Sequence, residues 1–378
     1  MHRIFNPIEE DPEFVIINFL NHLHFMTPRE MYEIIDKNGY IGQEKARKSI
    51  CLMAYRHINR LKKLYLDRVP ADELPSKENT LLIGPTGCGK TYLIDLLFNK
   101  VIGLPHVSID ITSYSETGYV GQDLNTIITR LIHTAGSPAL ASIGVICIDE
   151  FDKLSSSKNT AVFAGAGTTK DVTGIGVQRE LLKILESTVL DVPLETTYMS
   201  SGPRLTFSTQ NIPVIACGAF SGFKRSINQL NQRIGFLNKV SKTTAKTNIA
   251  VSYSRTDFDA VANFENYGFM PELIGRFSRI LPFEALGKSD LKQIFLYNTI
   301  KKYEKELRIQ NLTLNIDERV VDKTVSDAFK LETGARGLKS ALLVLIEDAC
   351  FEAYSNHGKM RKISLSLETP ESIIWRLE

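Results

Sequence analysis

The run TLLIGPTGCGKTYLIDLLFNK, Thr80 to Lys100, constrains this chain more than any other feature. An apolar stretch breaks into glycines and then enters an amphipathic stretch, which reads as strand, loop and helix. The loop fits the pattern GxxxxGK[ST] in full across Gly84, Pro85, Thr86, Gly87, Cys88, Gly89, Lys90 and Thr91. Gly84, Gly87 and Gly89 let backbone N–H groups curl around phosphates, Lys90 reaches the β and γ oxygens, and Thr91 can ligate Mg²⁺. A chance match in a glycine-rich turn would lack the strand before it and the helix after it.

A second apolar run, IGVICIDEFDK from Ile143 to Lys153, ends in carboxylates. Buried parallel strands read as continuous apolar residues, and charges at the carboxyl ends of such strands lie where ligands bind. Asp149 is therefore expected in the Mg²⁺ shell and Glu150 beside the attacking water. An Asp-Glu pair alone is often a strand-end surface patch; following a full phosphate loop, it signals a nucleoside triphosphatase. From Ala285 onward the phosphate-site pattern stops. Helical segments (KSDLKQIFLYNTIKKYEKEL, DERVVDKTVSDAFK, GARGLKSALLVLIEDACFEAY) lead to an alternating, strand-like KISLSLE. The expectation is an α/β fold: a short N-terminal extension over 1–30, a large P-loop domain with a parallel sheet over 31–284, and a small, mostly helical domain over 285–378. In the extension, EFVIINFLNHLHF reads as an amphipathic helix or strand.

Composition excludes several classes. With 43% hydrophobic and 23% charged residues in 378, the chain buries a sizeable core. No apolar run approaches a membrane span and the start lacks a secretory pattern, so no membrane partner and a cytoplasmic or equivalent reducing compartment are expected. Cys51, Cys88, Cys147, Cys217 and Cys350 form no close pair in sequence, which speaks against a zinc site or a disulfide framework. Net charge is +2, yet no Asp or Glu occurs between Glu195 and Asp257. That basic stretch lacks aromatic interleaving and reads as a solvated loop rather than a nucleic-acid surface. His22, His24 and His57 have no carboxylate or thiolate partners in the pattern and read as structural.

Four further features stand out. Arg276 follows a Gly in PELIGRFSRI, and Arg336 opens an amphipathic helix. In a monomer both would be surface or capping arginines; in a ring, one can reach a neighbour's γ-phosphate and the other can link the small domain to the nucleotide. Gly118 and Gly121 bracket Tyr119 and Val120, a pair either presented by the loop or folded back onto the surface. The apolar run Leu124, Ile127, Ile128 and Leu131 that follows would anchor such a loop. Ile234, Gly235 and Phe236 lie in a basic, polar stretch, where large apolar groups normally mark an interaction site.

Together YIGQEKARKSICLMAYRHINRL, GPTGCGKT, ETGYVGQDLNTIITRL, CIDEFDK, TKDVTGIGVQRELLKILES, MPELIGRFSRI and TGARGLKSA resemble, in order and spacing, the ClpX family of AAA+ unfoldases. The resemblance covers Thr27 to the C-terminus. It implies a homo-hexamer whose axial pore is lined by Gly118, Tyr119, Val120 and Gly121, which grip unfolded or tagged protein substrates, with a second pore loop over Thr169 to Gly174. It implies that Arg276 is the arginine finger and Arg336 the sensor-2 arginine. Ile41 and Gly42 match the adenine-side box, and Tyr92 joins the ATP-binding set. Ile234, Gly235 and Phe236 match the loop that docks on a ClpP-type peptidase. The implied cofactors are ATP and Mg²⁺. The family's N-terminal zinc-binding domain has no counterpart, since Met1 to Met26 holds no cysteine, so no zinc is expected. The basic cluster of the pore-entrance loop is reduced to Arg204. Alternatives are an HslU-like unfoldase, a peptidase-independent remodelling chaperone, and a nucleic-acid motor; the aromatic pore loop argues against the last, and nucleic acid is not expected as a partner.

Overall fold

The structure is a computed structural model, and it describes residues 11–114, 124–155, 172–186, 188–193, 204–223, 261–355, 362–369 and 372–377. The chain forms two compact units. The first comprises Met1–Glu33, Lys45–Gly84 and Lys90–Phe283; the second comprises Ile34–Glu44, Pro85–Gly89 and Glu284–Glu378.

The first unit begins with α1 (Pro12–His22), capped by Asp11, whose carboxylate accepts the Glu13 N–H at 3.0 Å. The apolar stretch of the extension is thus a helix over Pro12–His22, and its Ile16 and Leu20 pack with Leu61 and Ile143. The helix α2 (Pro28–Lys37) starts with a reciprocal cap: Thr27 N–H donates to the Glu30 carboxylate at 2.7 Å, and Glu30 N–H donates to the Thr27 hydroxyl at 3.2 Å. The long α3 (Glu44–Tyr65) buries Ile50, Met53, Ala54, Ile58 and Leu61 along one face.

The core of this unit is a parallel sheet. Its strands are β1 (Thr80–Ile83), β2 (His106–Asp110), β3 (Val145–Asp149), β6 (Val214–Gly218) and β7 (Arg279–Pro282), in the order β2-β3-β6-β1-β7. β1 and β6 are buried along their whole length, as unbroken apolar runs require in a sheet covered on both faces. α4 (Lys90–Asp95) leaves the loop after β1 and continues as a π-helical turn over Leu96–Ile102. Next come α5 (Asn125–Ala135), α6 (Pro138–Ala141) and α7 (Val172–Leu185), then the antiparallel ribbon of β4 (Val189–Pro193) and β5 (Arg204–Ser208). Leu124, Ile127, Ile128 and Leu131 are all buried in the main core, fixing α5. Cys147 and Cys217 contact each other on adjacent strands, a proximity that sequence spacing does not reveal. All five cysteines are free thiols, and the contact with Cys147 together with burial pushes the Cys217 thiol well above its usual range. Two short helices, α8 (Val261–Tyr267) and α9 (Pro271–Gly275), bring Phe264 and Phe269 into a cluster with Phe220 and Phe223.

The second unit carries α10 (Lys288–Ile294), a π turn over Phe295–Ile300, α11 (Lys301–Ile309), α12 (Glu318–Lys330) and α13 (Gly334–Ser355). They accompany a three-stranded mixed sheet of β8 (Thr313–Ile316), β9 (Lys362–Leu367) and β10 (Ile373–Leu377). KISLSLE is indeed a strand, with Ile363 and Leu365 turned inward. Leu338, Leu342, Ile346, Ala349 and Ala353 form the buried stripe of α13. Among the described residues, no helix is long and apolar enough to cross a membrane.

Candidate nucleotide site

Within the first unit, β1 and β3 flank β6 and deliver Lys90, Thr91, Asp149 and Glu150 to the carboxyl end of the sheet. Gly84 closes β1 where a Cβ would lie 2.5 Å from the Phe283 carbonyl oxygen, so no larger residue fits. Its N–H donates to the Gly218 carbonyl at 3.2 Å. The Lys90 side chain is buried and its ammonium donates to the Gly84 carbonyl at 2.6 Å. The Thr91 hydroxyl donates to Asp149 Oδ2 at 2.8 Å, while Asp149 Oδ1 accepts the Glu150 N–H at 2.9 Å. Both oxygens of Asp149 are thus oriented.

Glu150 adopts φ +56°, a left-handed conformation that costs a non-glycine residue energy and persists only where the surroundings impose it. The surroundings are Phe151 and Asp152. Phe151 is fully buried, 5.2 Å from the Phe269 ring and 5.4 Å from Phe277. Asp152 is also buried and accepts the Ala219 N–H at 2.9 Å. The turn is pinned on both sides, and Glu150 is left half-buried at the strand end.

Arg276 stands at the end of α9 and donates to the Glu186 carboxylate at 2.6 Å. Its backbone is held separately: the buried Asn79 side chain donates to the Arg276 carbonyl at 3.2 Å and to the Leu185 carbonyl at 3.4 Å, and accepts the Val214 N–H at 3.0 Å. Buried Gln178 on α7 donates to the Leu154 and Gly268 carbonyls and accepts the Met270 N–H at 2.7 Å. Sequence reading passed over Asn79, Gln178 and Glu186. The one available signal was an amide or acid at an otherwise apolar stretch, which does not tell a bonded core residue from a surface one.

Within the second unit, the rest of the loop meets α13. Gly87, at φ +76°, lies so close to Thr333 and Gly334 that a Cβ would sit 2.8 Å from the Thr333 carbonyl oxygen. The Ala335 N–H donates to the Gly87 carbonyl at 3.2 Å, which places the start of α13, and so exposed Arg336, beside the loop backbone. The Tyr40 hydroxyl donates to the Gly89 carbonyl at 3.2 Å. Gly42 has φ +77° and lies near Leu286 and Asp290. Gln43, missed in the sequence, makes a two-way amide pair with Glu284: its Nε2 donates to the Glu284 carbonyl at 2.6 Å and its Oε1 accepts the Glu284 N–H at 2.9 Å. Ile41 is half-buried, Cys88 is buried, and Pro85, Thr86 and Tyr92 are at least partly exposed. Gly118, Tyr119, Val120, Gly121, Thr169 to Asp171, and Ile234, Gly235 and Phe236 lie outside the described residues.

Residues 76–280 match the family described as AAA domain (Cdc48 subfamily), and residues 286–364 match the family described as C-terminal, D2-small domain, of ClpB protein. Against individual proteins, the chain is 35% identical over 345 residues to the ATP-dependent Clp protease ATP-binding subunit ClpX of Treponema denticola, covering 89% of this chain and 80% of that protein. It is 33% identical over 359 residues to the proteins of the same name from Borrelia duttonii and Borrelia recurrentis, covering 92% of this chain and 78% of each. An α/β core with a phosphate loop and an Asp-Glu strand end, followed by a helical second unit, defines the AAA+ class. The chain belongs, within it, to the ClpX family of AAA+ ATPases.

Proposed function

We propose that the chain is one subunit of a hexameric ring that hydrolyses ATP with Mg²⁺, pulls protein substrates through its pore and hands them to a ClpP-type peptidase. The observation that carries this is the Thr91–Asp149–Glu150 arrangement, in which a hydroxyl and a carboxylate oxygen meet at 2.8 Å beside a strained glutamate. Thr91 and Asp149 are hard oxygen donors of the kind that suits Mg²⁺ and would hold it here. Bound there, the ion would supply charge neutralisation to the phosphates. Lys90 adds its ammonium to the same phosphates. Glu150 orients a water and takes its proton as the water oxygen bonds to the γ-phosphorus and the bond to the ADP oxygen breaks. Arg276 of an adjacent subunit meets the charge that develops on the γ-phosphoryl oxygens, and Arg336 answers the nucleotide from α13.

Assembly is supported by large apolar side chains left in solvent on the second unit. Leu331 is 73% exposed, Val344 73% and Phe351 70%, more than a monomer ordinarily leaves open on neighbouring helices. The relatives' name, a subunit of a protease, supports a peptidase partner. An aromatic-aliphatic pair such as Tyr119 and Val120 grips many side-chain types by nonspecific contact, as a translocating loop must.

The test combines ATP, a tagged fluorescent substrate and ClpP, with unfolding and peptide release followed separately. Glu150→Gln is expected to bind ATP and assemble yet lose at least about two orders of magnitude in turnover. Tyr119→Ala is expected to hydrolyse ATP without unfolding, and Phe236→Ala to unfold substrate but bind ClpP weakly, as loss of one apolar hot spot magnified by ring avidity implies. Near-normal turnover in Glu150→Gln removes the assigned water-positioning role. Unchanged unfolding in Tyr119→Ala removes the pore assignment, unchanged ClpP binding in Phe236→Ala removes the docking assignment, and no ClpP binding by the parent leaves the peptidase-independent reading.

A further inference from the structure

At the edge of the sheet opposite Gly84 and Gly218 lies a cavity of about 480 Å³, inside the size range of small-molecule sites. It sits where β1 and β6 begin. One wall is α3 from Met53 onward, with Met53, Arg56, His57, Arg60 and Lys63; the other is the segment Leu74 to Glu78 with Pro213.

Its charge is one-sided. Among the described residues, Glu78 is the only acid in the lining, and it is engaged by Arg56 at 3.0 Å and by Arg279 at 3.3 Å. Arg60 is buried at 7% exposure and donates to the Pro75 carbonyl at 2.7 Å and the Asn211 side-chain carbonyl at 2.5 Å. Lys77 is half-buried and donates to the Ile184 and Thr209 carbonyls at 3.0 and 2.9 Å. Neither cation pairs with a carboxylate among the described residues, nor does Lys63 on the rim. Buried charges are normally paired, and both Arg60 and Lys77 keep N–H donors beyond the bonds just given. Burial, with the Arg60 charge beside it, holds the Lys77 amine down at about 7, as expected of a cation missing its counter-ion. His57 adds no charge near neutral pH, because burial holds its imidazole down at about 4.

We propose that this cavity binds a small organic phosphate, with the phosphate on Arg60, Lys63 and Lys77 and the organic body against Met53, Leu74 and Pro213. A monocarboxylate carries a single charge against Arg60, Lys63 and a Lys77 amine poised to take up a proton, whereas a phosphate dianion or pyrophosphate answers all three together, and a guanidinium matches its oxygens in a two-pronged geometry. The cavity is far larger than an inorganic anion needs, and its apolar lining is suited to the rest of the molecule. The site is separate from the phosphate loop, lying at the start of β1 where the loop follows its end.

The test uses the full chain saturated with a fluorescent ADP analogue, so that the phosphate loop is filled, and titrates pyrophosphate by calorimetry while the analogue signal is watched. One further pyrophosphate site is expected with the analogue retained. Lys63→Glu, an exposed substitution that removes no hydrogen bond of the fold, is expected to weaken that site about tenfold or more, since it replaces attraction by repulsion at close range. In the parent protein, pyrophosphate is also expected to protect Lys77 from an amine-acylating reagent at neutral pH, read by peptide mass spectrometry. Absence of a pyrophosphate site, release of the ADP analogue over the same concentration range, unchanged affinity in Lys63→Glu, or unprotected Lys77 would each overturn the proposal.

Discussion

Asn79→Ala tests how the fold holds the segment carrying Arg276. The side chain is 4% exposed and spans three backbone groups: the Val214 N–H at 3.0 Å, the Arg276 carbonyl at 3.2 Å and the Leu185 carbonyl at 3.4 Å. Each such bond contributes about 1 kcal/mol net, and each orphaned buried partner raises the cost towards about 1–3 kcal/mol. The longest bond counts least, so the expected loss is about 2–4 kcal/mol. With a urea slope of about 3 kcal/mol/M, this lowers the unfolding midpoint of the first unit by about 1 M. Far-UV circular dichroism follows that transition. The chain has one tryptophan, Trp375, which lies on β10 in the second unit and reports separately by fluorescence. Its transition is expected to keep its midpoint. A shift below about 0.3 M in the dichroism transition would mean that water or relaxation satisfies all three groups, and the reasoning fails.

Two other perturbations follow. Because the Arg276–Glu186 pair is half-exposed on both sides, breaking it alters stability by only about 0.2–1 kcal/mol. Glu186→Gln should therefore change ATP hydrolysis by no more than about fivefold, while Arg276→Ala should lower it by about three orders of magnitude if the arginine meets a neighbour's nucleotide. Equal losses in the two variants would make the ion pair itself the functional element. His57, which faces the Ile143 carbonyl at 3.3 Å with Arg60 and Lys77 nearby, has a folded pKa of about 4 against an ordinary 6.5. The unfolded chain then binds the extra proton first, so stability is full above pH 6.5 and declines as pH falls towards 4, by a loss on the order of 2–3 kcal/mol. Urea titrations across that window should show the decline in the parent and a flatter profile in His57→Gln; equal slopes would place the loss on other groups.

The phosphate loop was legible from the amino-acid sequence because its chemistry is local: glycines, Lys90 and Thr91 act within one continuous turn, and the strand and helix around them announce themselves by periodicity. Asp149 and Glu150 were legible for the same reason, at the end of an apolar run. The extension was ambiguous between helix and strand until Asp11 and Pro12 were seen to start a helix whose Ile16 and Leu20 find Leu61. Other features belong to tertiary structure alone. The strand order sets β1 between β6 and β7 and brings Cys147 beside Cys217. Asn79 meets the Arg276 carbonyl across 197 residues, Gln43 meets Glu284 across 241, and Arg276 meets Glu186 across 90. Pro85–Gly89 groups with the second unit although its neighbours on both sides belong to the first. A polar side chain carries its donors and acceptors in its formula, but its partner is chosen only when distant backbone is brought within 3 Å. For that reason the residues proposed to touch phosphate were visible in the sequence, and those that hold them in place, like the cations that line the second cavity, were decided by the fold.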